Sequence, residues 1–352
     1  MTTRVDALFA TPDHYLYAFE AGEALFLPVD RDVYRRSLFL DDRIALESGE
    51  ILPFSAEALA ARRDAEDRPI PRIGWIFHIA HCGSTLLARA LDRGDETLVL
   101  REPLPLRQLG VEGAGLVREP RPAAWAARLR LAVALAGRRY RPDAPVIVKA
   151  NVPVNMILPD LMALDPTAPG ILLHHPLDAY LLAILRSDTH REWVMRVTGE
   201  IAPGIEAWAG PIAGLDVVER AAALWLAQMR IYDAALGRHP DLHSLAAAAL
   251  FDQPRAVLTA AFALFGVAVA PAAIDDIVTG PLFATHAKNP DRPFDNAARR
   301  EREARLGDLL RTDLDRARRW ITARCGAYPI PDRLARPLVG EGVALLDENR
   351  MP

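Results

Sequence analysis

The chain has 352 residues, of which 51% are hydrophobic and 25% are charged, and its formal net charge at pH 7 is −4. This is an ordinary soluble globular composition, and the length allows one large α/β domain with additions, or two domains. Because a nucleic-acid-binding surface needs an excess of Lys and Arg, the slightly acidic balance argues against nucleic acid as the main partner.

The cysteines and the apolar runs indicate the cellular compartment in which the protein is expected. Cys82 and Cys325 lie far apart and fit neither a disulfide framework nor a zinc-ligand spacing, so we expect a reducing environment and no metal. The N-terminus lacks the charged segment and apolar core of a signal peptide, and no uncharged apolar run reaches the roughly 18 residues that span a bilayer. The sequence therefore predicts a cytoplasmic protein without a membrane span.

The first 70 residues differ from the rest of the chain. Residues 15–29 have the pattern of two short strands joined by a turn, and residues 35–44 are predicted to form a turn or short helix on the main body. Two prolines within residues 68–72 break regular structure. We therefore predict an N-terminal extension with a β-hairpin over residues 1–70 and an α/β domain over residues 71–352.

From residue 73 onward, strand patterns alternate with helix patterns. Short β-branched or leucine-rich runs predict five strands, at 75–79, 97–100, 146–149, 171–174 and 242–247. Helices are predicted at 85–92, 122–136, 155–164, 177–186, 219–236 and 255–265. The alternation predicts a mostly parallel sheet with helices on both faces, and ligands of such sheets bind beyond the carboxyl ends of the strands.

The turn after the first of these strands is the most informative segment. An apolar strand leads into His81-Cys82-Gly83-Ser84-Thr85 and then directly into a helix rich in Ala and Leu. Unpaired N–H groups and the helix dipole attract anions there, the two hydroxyls can add donors, and Gly83 lets the backbone approach a ligand. The pattern predicts a phosphate-binding loop that would also acidify Cys82. The alternative is an ordinary buried strand, turn and helix.

Polar side chains follow the other predicted strands and are expected to line the same crevice. Glu102 is a candidate general base, the alternative being a surface glutamate paired with Arg101 or Arg107. Lys149 at the end of its strand favours an anion, unless it is only a charge that faces water. His174 and His175 lie at the end of the fourth strand.

The turn after the first strand, Glu102, Lys149 and the turn after the fourth strand occur in the same order as the corresponding segments of P-loop sulfotransferases. This resemblance covers about residues 73 to 326. The turn after the fourth strand is similar to the family's Arg-x-Pro-x-Asp segment, which holds the 3′-phosphate of the donor, with Pro176 and Asp178 in place. His174 stands where the family has Arg and Leu182 where it has Ser, and Arg186, one turn further along the helix, is the expected substitute. A later Asp-x-Pro segment at 252–254 is also similar.

A polar loop with aromatic residues is predicted at 283–295. Bacterial sulfotransferases carry a similar basic loop that folds over the donor, so the resemblance implies that Lys288 and Arg292 supply charge to the 3′-phosphate. The alternative is a flexible, solvated loop. Helices around 187–240, with Trp193, Trp208 and Trp225, are predicted to shape the acceptor pocket.

The resemblance implies a P-loop-type fold and a sulfotransferase activity. The donor would be 3′-phosphoadenosine 5′-phosphosulfate (PAPS), and the acceptor a hydroxyl or amine of a small molecule or glycan. The turn formed by Cys82, Gly83, Ser84 and Thr85 would hold the 5′-phosphosulfate. His81 would stabilise charge on the leaving phosphate, and Glu102 would be the base. The expected partners are these two substrates, without nucleic acid, and a homodimer stays open.

Two other functional classes stay open at this point. One is a P-loop kinase or other phosphoryl transferase, against which the absence of G-x-x-x-x-G-K-[ST] argues. The other is a non-catalytic relative that binds a nucleotide or a partner. This class stays open because His174 and Leu182 stand where the family has Arg and Ser.

Overall fold

The computed structural model describes residues 4–45, 49–66, 69–116, 120–286 and 289–346. Its N-terminal part consists of α1 (Arg4–Ala10), β1 (His14–Glu20), β2 (Glu23–Pro28), α2 (Arg31–Arg36), β3 (Leu52–Ser55) and α3 (Ala56–Ala65). The three strands form an antiparallel sheet in the order β1-β2-β3. Ala21 and Gly22 between β1 and β2 both have positive φ, at 49° and 84°, as tight hairpin turns require. The expected hairpin is confirmed.

The central elements alternate between strand and helix. They are β4 (Ile73–His78), α4 (Ser84–Ala90), β5 (Leu98–Arg101), α5 (Leu104–Gly115), α6 (Ala123–Ala136), β6 (Val146–Lys149), a 3-10 helix (Val152–Ile157), α7 (Leu158–Leu164), β7 (Gly170–His174), α8 (Leu177–Ile184), α9 (Asp188–Glu200), α10 (Ala202–Ala209), α11 (Val217–Arg238) and β8 (Leu242–Ala246). The five strands form one sheet in the order β5-β6-β4-β7-β8, and every pair is parallel.

Both faces of this sheet are covered by helices. The chain crosses from β4 to β5 in one direction and then returns through β6, β7 and β8 in the other. Because parallel crossovers are right-handed, this reversal places α4 on one face and the later connections on the opposite face. All residues of β4, β5, β6 and β7 are buried, as in sheets covered on both sides. The predicted fold class is confirmed.

The C-terminal elements complete the molecule. They are α12 (Ala247–Asp252), α13 (Pro254–Leu264), α14 (Pro271–Thr279), α15 (Pro281–Ala284), β9 (Thr285–His286), β10 (Asn289–Pro293), α16 (Asn296–Leu309) and α17 (Arg311–Cys325). The expected loop at 283–295 thus contains the end of a short helix and an antiparallel two-stranded ribbon.

One predicted helix begins differently from the expectation. The segment 155–164 starts within the 3-10 helix and becomes α-helical only from Leu158. Pro159 explains the change, since it has no N–H to donate to the carbonyl of Asn155 four residues earlier. The other predicted helices of the domain are present with shifted ends.

One apolar core runs through the described residues. It includes Leu16 and Phe26 from the N-terminal sheet, Leu59 from α3, and the strands of the parallel sheet. Residues 1–70 therefore share the core of the chain that follows, and the domain boundary at residue 70 stays a prediction. Within the ranges that the structure describes, no helix is both long and apolar enough to cross a bilayer.

Candidate functional site

A cavity of about 900 Å³ opens at the carboxyl edge of the parallel sheet. Residues that follow four of its strands contribute to the wall: Ser84 after β4, Glu102 after β5, Asn151 after β6 and His175 after β7. The first of these strands, β4, lies where the direction of the crossovers reverses, which is where α/β sheets of this kind bind ligands.

The turn between β4 and α4 lies on the cavity wall. His81, Gly83, Ser84 and Thr85 all line the cavity. Gly83 is the residue before the helix, with a φ of +86°, and a Cβ there would lie 2.9 Å from the ring of Phe251. The first helical hydrogen bond is donated by Leu87 to the Gly83 carbonyl at 3.1 Å. The N–H groups of residues 84–86 therefore have no acceptor within the helix.

Cys82, in the same turn, is not a reactive thiol. Its side chain is fully buried, and its Sγ donates to the carbonyl of Ile79 at 2.9 Å. Burial raises the pKa of this thiol to about 12, because desolvation of the thiolate outweighs the nearby donors. The expected acidification of Cys82 is therefore wrong, and only its backbone is available to a ligand of the turn.

Glu102 lies at the end of β5 in a left-handed conformation, with a φ of +55°. The ammonium of Lys149 donates to its Oε1, and Asn151 Nδ2 donates to its Oε2 at 2.7 Å. His78 Nε2 lies 3.7 Å from Oε1. Glu102 is only 8% exposed but lines the cavity. Lys149 and Asn151 therefore fix the orientation of a buried carboxylate that borders the cavity.

Glu102 pairs with neither Arg101 nor Arg107, the two partners that the sequence suggested for a surface glutamate. Arg101 donates to the carbonyls of Tyr34 and Arg35, and Arg107 pairs with Glu200. Lys149 is 1% exposed, so it does not face water, and it does not line the cavity. The Lys149 ammonium lies behind the cavity wall and is bound to Glu102, which corrects its expected contact with a bound anion.

The two histidines at the end of β7 are buried. His174 is 2% exposed and does not line the cavity, and burial lowers its pKa to about 4. The imidazole is therefore neutral near pH 7 and cannot supply the charge of the arginine it replaces, which corrects its expected role. His175 does reach the cavity, with Nε2 3.5 Å from the His81 carbonyl, and burial lowers its pKa also to about 4.

Guanidinium groups line the part of the cavity beyond α8. Arg186 lines the wall, with Nη2 3.0 Å from His190 Nε2, and its pKa is lowered by partial burial and by repulsion from Arg302. Arg299 and Arg302 reach the cavity from α16, and Arg299 is paired with Glu303 at 2.7 Å. In the described part of the chain, no carboxylate lies within ion-pair distance of Arg186 or Arg302.

The predicted contacts of the basic loop fall outside the described residues. Lys288 lies outside them, and the side chain of Arg292 does too, so the predicted contacts of both stay predictions. Thr285, at the start of the ribbon, and Phe294, directly after it, do line the cavity. The arginines of α16 were not predicted, although the run of arginine and glutamate at 299–305 carries the signal.

Of the three predicted pocket tryptophans, only Trp193 lines the cavity. Its ring lies 6.4 Å from that of His81, and the His190 ring lies 4.4 Å from His81. Trp225 is buried and donates to the His175 carbonyl at 3.0 Å, and Trp208 packs under Arg230.

The N-terminal extension also reaches the cavity, which the sequence did not predict. Phe39, Asp41, Asp42 and Arg43 line the wall on the side of Glu102. Nothing in residues 37–45 resembles a ligand motif, so only the tertiary structure reveals their position.

Comparisons with known proteins give distant likenesses. No family model matches the chain, and no curated protein matches it. Among solved structures, the chain is similar to a sulfotransferase domain from the curacin biosynthetic pathway, at 12% identity and a TM-score of 0.41, covering 69% of this chain and 98% of that one. It is also similar to a sulfotransferase from Alicyclobacillus acidocaldarius, at 17% identity and a TM-score of 0.33, covering 74% and 98%.

Proposed function

We propose that this protein is a sulfotransferase that moves a sulfuryl group from PAPS to a hydroxyl or amine of a small-molecule or glycan acceptor. One observation carries the proposal: a turn at a helix N-terminus, a buried carboxylate and two arginines without a described carboxylate partner face one cavity. A donor with two separate anionic ends and an acceptor that must lose a proton require these three elements.

The turn between β4 and α4 would hold the 5′-phosphosulfate. Backbone N–H groups of residues 82–85 and the hydroxyls of Ser84 and Thr85 supply donors that need no charge of their own. His81 lines the cavity at the start of this turn and would stabilise charge on the leaving phosphate.

The 3′-phosphate would lie at the arginines beyond α8. Arg186 and Arg302 carry charge that no described carboxylate neutralises, and Arg299 adds a third guanidinium. They replace the charge that the neutral His174 cannot provide. A phosphate between Arg186 and Arg302 would also relieve their mutual repulsion.

Glu102 would take the acceptor proton during transfer. As the acceptor oxygen or nitrogen forms its bond to sulfur, the bond from sulfur to the leaving phosphate oxygen breaks, and the acceptor proton passes to the Glu102 carboxylate. Lys149 and Asn151 each donate to one oxygen of this carboxylate, which lines the cavity, and a carboxylate oxygen can accept more than one hydrogen bond. Those two donors fix the orientation of the base, so that positioning supplies much of the catalysis.

The first test is the binding of nucleotides to the purified protein by calorimetry. We expect adenosine 3′,5′-bisphosphate to bind more tightly than AMP or magnesium ATP, because only the bisphosphate has a 3′-phosphate. Arg302→Gln should weaken bisphosphate binding about tenfold or more and leave AMP binding unchanged, since a hydrogen bond to a charged group contributes about 1.5–3 kcal/mol.

Arg300→Gln is the matched control for this test. Arg300 is two residues away on the same helix, is 62% exposed and is paired with Asp252 at 2.6 Å. The control should bind the bisphosphate as the unaltered protein does. A preference for magnesium ATP would instead favour a phosphoryl transferase, and no binding of either nucleotide would favour a non-catalytic relative.

A further inference from the structure

A short N-terminal segment is fixed beside the proposed base. We name residues 39–43 the strap. The N–H of Leu40 donates to the Arg101 carbonyl at 2.8 Å, and the Leu40 carbonyl accepts from the N–H of Leu104 at 3.0 Å. Tyr15 Oη donates to the same carbonyl at 2.6 Å. The strap is therefore hydrogen-bonded to the residues on both sides of Glu102, so its position is set relative to that carboxylate.

Arg43 is oriented within the strap. Its Nε donates to Asp41 Oδ1 at 2.9 Å and its Nη2 to Asp41 Oδ2, while its Cζ lies 3.8 Å above the centre of the Phe39 ring. Asp41 raises the pKa of Arg43, and the charge of Glu102 adds to the effect. A guanidinium held on one edge by a carboxylate and on one face by a ring has little freedom left.

The outer edge of this guanidinium faces the cavity. Arg43 has five N–H groups, and Asp41 accepts from two of them. Among the described residues, no other hydrogen-bond acceptor takes the remaining three, and Arg43 lines the cavity wall. The terminal edge formed by Nη1 and Nη2 thus presents a fork of parallel donors, the geometry that binds a carboxylate bidentately.

Arg43 and Arg186 are associated with different strands of the sheet. The strap is bound to the end of β5, whereas Arg186 lies beyond α8, the helix that follows β7, and two strands lie between β5 and β7 in the sheet. With neighbouring strands about 4.8 Å apart, the ends of β5 and β7 are separated by roughly 14 Å. The turn at the end of β4 lies between them, so Arg43 and Glu102 are on the side left for the acceptor.

We infer that Arg43 binds a carboxylate of the acceptor, so that the substrates are hydroxy or amino acids whose hydroxyl or amine reaches Glu102. The inference rests on the proposed function for the assignment of that side to the acceptor. A singly charged carboxylate is favoured over a dianionic phosphate because Asp41 and Asp42 lie beside the guanidinium.

The test compares hydroxy acids with their methyl esters. Calorimetry would measure binding of 4-hydroxybenzoate, 4-hydroxyphenylacetate and 3-(4-hydroxyphenyl)propionate, each with its ester, with and without adenosine 3′,5′-bisphosphate. The unaltered protein should bind at least one acid about tenfold more tightly than its ester. The double variant Asp41→Asn with Arg43→Gln should lose that preference, and it leaves no buried carboxylate without its partner.

Two controls accompany this test. Arg36→Gln removes a guanidinium, as the change at position 43 does, but at an exposed position on α2 outside the cavity, and it should keep the preference for the acid. Asp41→Asn with Arg43→Lys retains the charge but not the fork, and should keep only part of the preference. Circular dichroism melting checks that each variant is folded.

Three outcomes overturn the inference: no preference for any of the three acids, a preference that survives in the double variant, or its loss in Arg36→Gln. The proposed function fails separately, through the nucleotide titrations. If the bisphosphate binds and the acid preference is absent, only the role of Arg43 fails. If the acid preference depends on Arg43 and the bisphosphate does not bind, the donor assignment fails and the carboxylate site stands.

Discussion

Glu102 and Lys149 form a buried ion pair in which Glu102 lines the cavity and Lys149 does not. Both side chains are almost fully withdrawn from water, and the carboxylate alone lines the cavity. Removing one partner of a buried pair costs about 3–5 kcal/mol, because the other charge remains without compensation. At this position the proposed chemistry and the stability of the fold therefore depend on the same carboxylate.

We predict that Glu102→Gln abolishes most of the turnover and preserves the donor site. Loss of a general base should lower kcat by about 10²–10⁴-fold, while the affinity for adenosine 3′,5′-bisphosphate stays within about threefold. The melting temperature should fall as well, because Lys149 loses its carboxylate. Steady-state kinetics, calorimetry and thermal melting measure these three effects.

Glu200→Gln is the comparison for this variant, since Glu200 also lines the cavity and is paired with an arginine, Arg107. It should change kcat by less than about tenfold. Equal turnover in Glu102→Gln and the unaltered enzyme would remove Glu102 from the mechanism.

The sequence indicated Glu102 but not its partner. A carboxylate directly after a predicted strand is a visible signal, and so is a lysine at the end of another strand. Their contact depends on β5 lying next to β6 with Arg101 opposite Lys149, a register that long-range pairing sets and that no local pattern contains.

At the scale of elements, the turn between β4 and α4 depends on glycine for two separate reasons. The φ of Gly83 is +86°, which costs a residue with a Cβ about 1–2 kcal/mol. In addition, a Cβ there would lie 2.9 Å from Phe251 Cζ and 3.1 Å from Leu250 Cδ2. The helix α12 thus closes tightly on the turn.

We predict that Gly83→Ala loses more stability and more donor affinity than Gly22→Ala. Gly22 has nearly the same φ, +84°, but a Cβ there meets nothing within 4 Å, so it isolates the backbone cost. Chemical denaturation should show an extra loss of about 1–3 kcal/mol in Gly83→Ala from overpacking, and bisphosphate titration should show weakened binding. Similar losses in the two variants would mean that α12 yields easily and that the turn tolerates a Cβ.

Strands were the most predictable elements and charged helices the least. The five parallel strands are rich in β-branched and large apolar residues, and four of them are buried along their whole length, so their patterns are visible in the sequence. The helix α16 has no buried residues and hence no apolar period to detect. In α5, Gly110 is a poor helix former, but it allows close packing, since a Cβ there would lie 2.8 Å from the backbone of Pro153.

At the scale of the whole molecule, two buried histidines couple folding to pH. His174 and His175 have pKa values lowered to about 4 by burial, against about 6.5 in an unfolded chain. Between these values the unfolded chain binds more protons than the folded one, so the free energy of unfolding rises with pH. The stabilisation is complete above pH 6.5 and is lost as the pH falls towards 4, by about 3 kcal/mol for each histidine.

We predict that urea denaturation midpoints fall steeply between pH 6.5 and 4.5. In His174→Leu the slope of unfolding free energy against pH should become less steep, because His174 no longer titrates. Urea titrations at half-unit pH steps measure this slope. A slope that His174→Leu leaves unchanged would mean that His174 takes up its proton in the folded protein as easily as in the unfolded chain.

The position of the N-terminal extension is a property of the whole chain that sequence patterns could not give. The hairpin itself was predictable from residues 15–29, because a turn pattern is local. The contact of Leu40 with Arg101 and Leu104 joins segments about 60 residues apart and has no local signature. That contact places the strap, and with it Arg43, at the cavity.

The left-handed backbone of His81, with a φ of +60°, has a consequence for laboratory evolution. Glycine or asparagine would relieve the conformational cost at this position, which histidine tolerates less well. A selection for heat resistance alone should therefore enrich those two residues at position 81 and produce more thermostable proteins in which the proposed transfer is slower. Screening for thermostability and for product together would keep the imidazole and shift improvement to sites remote from the turn.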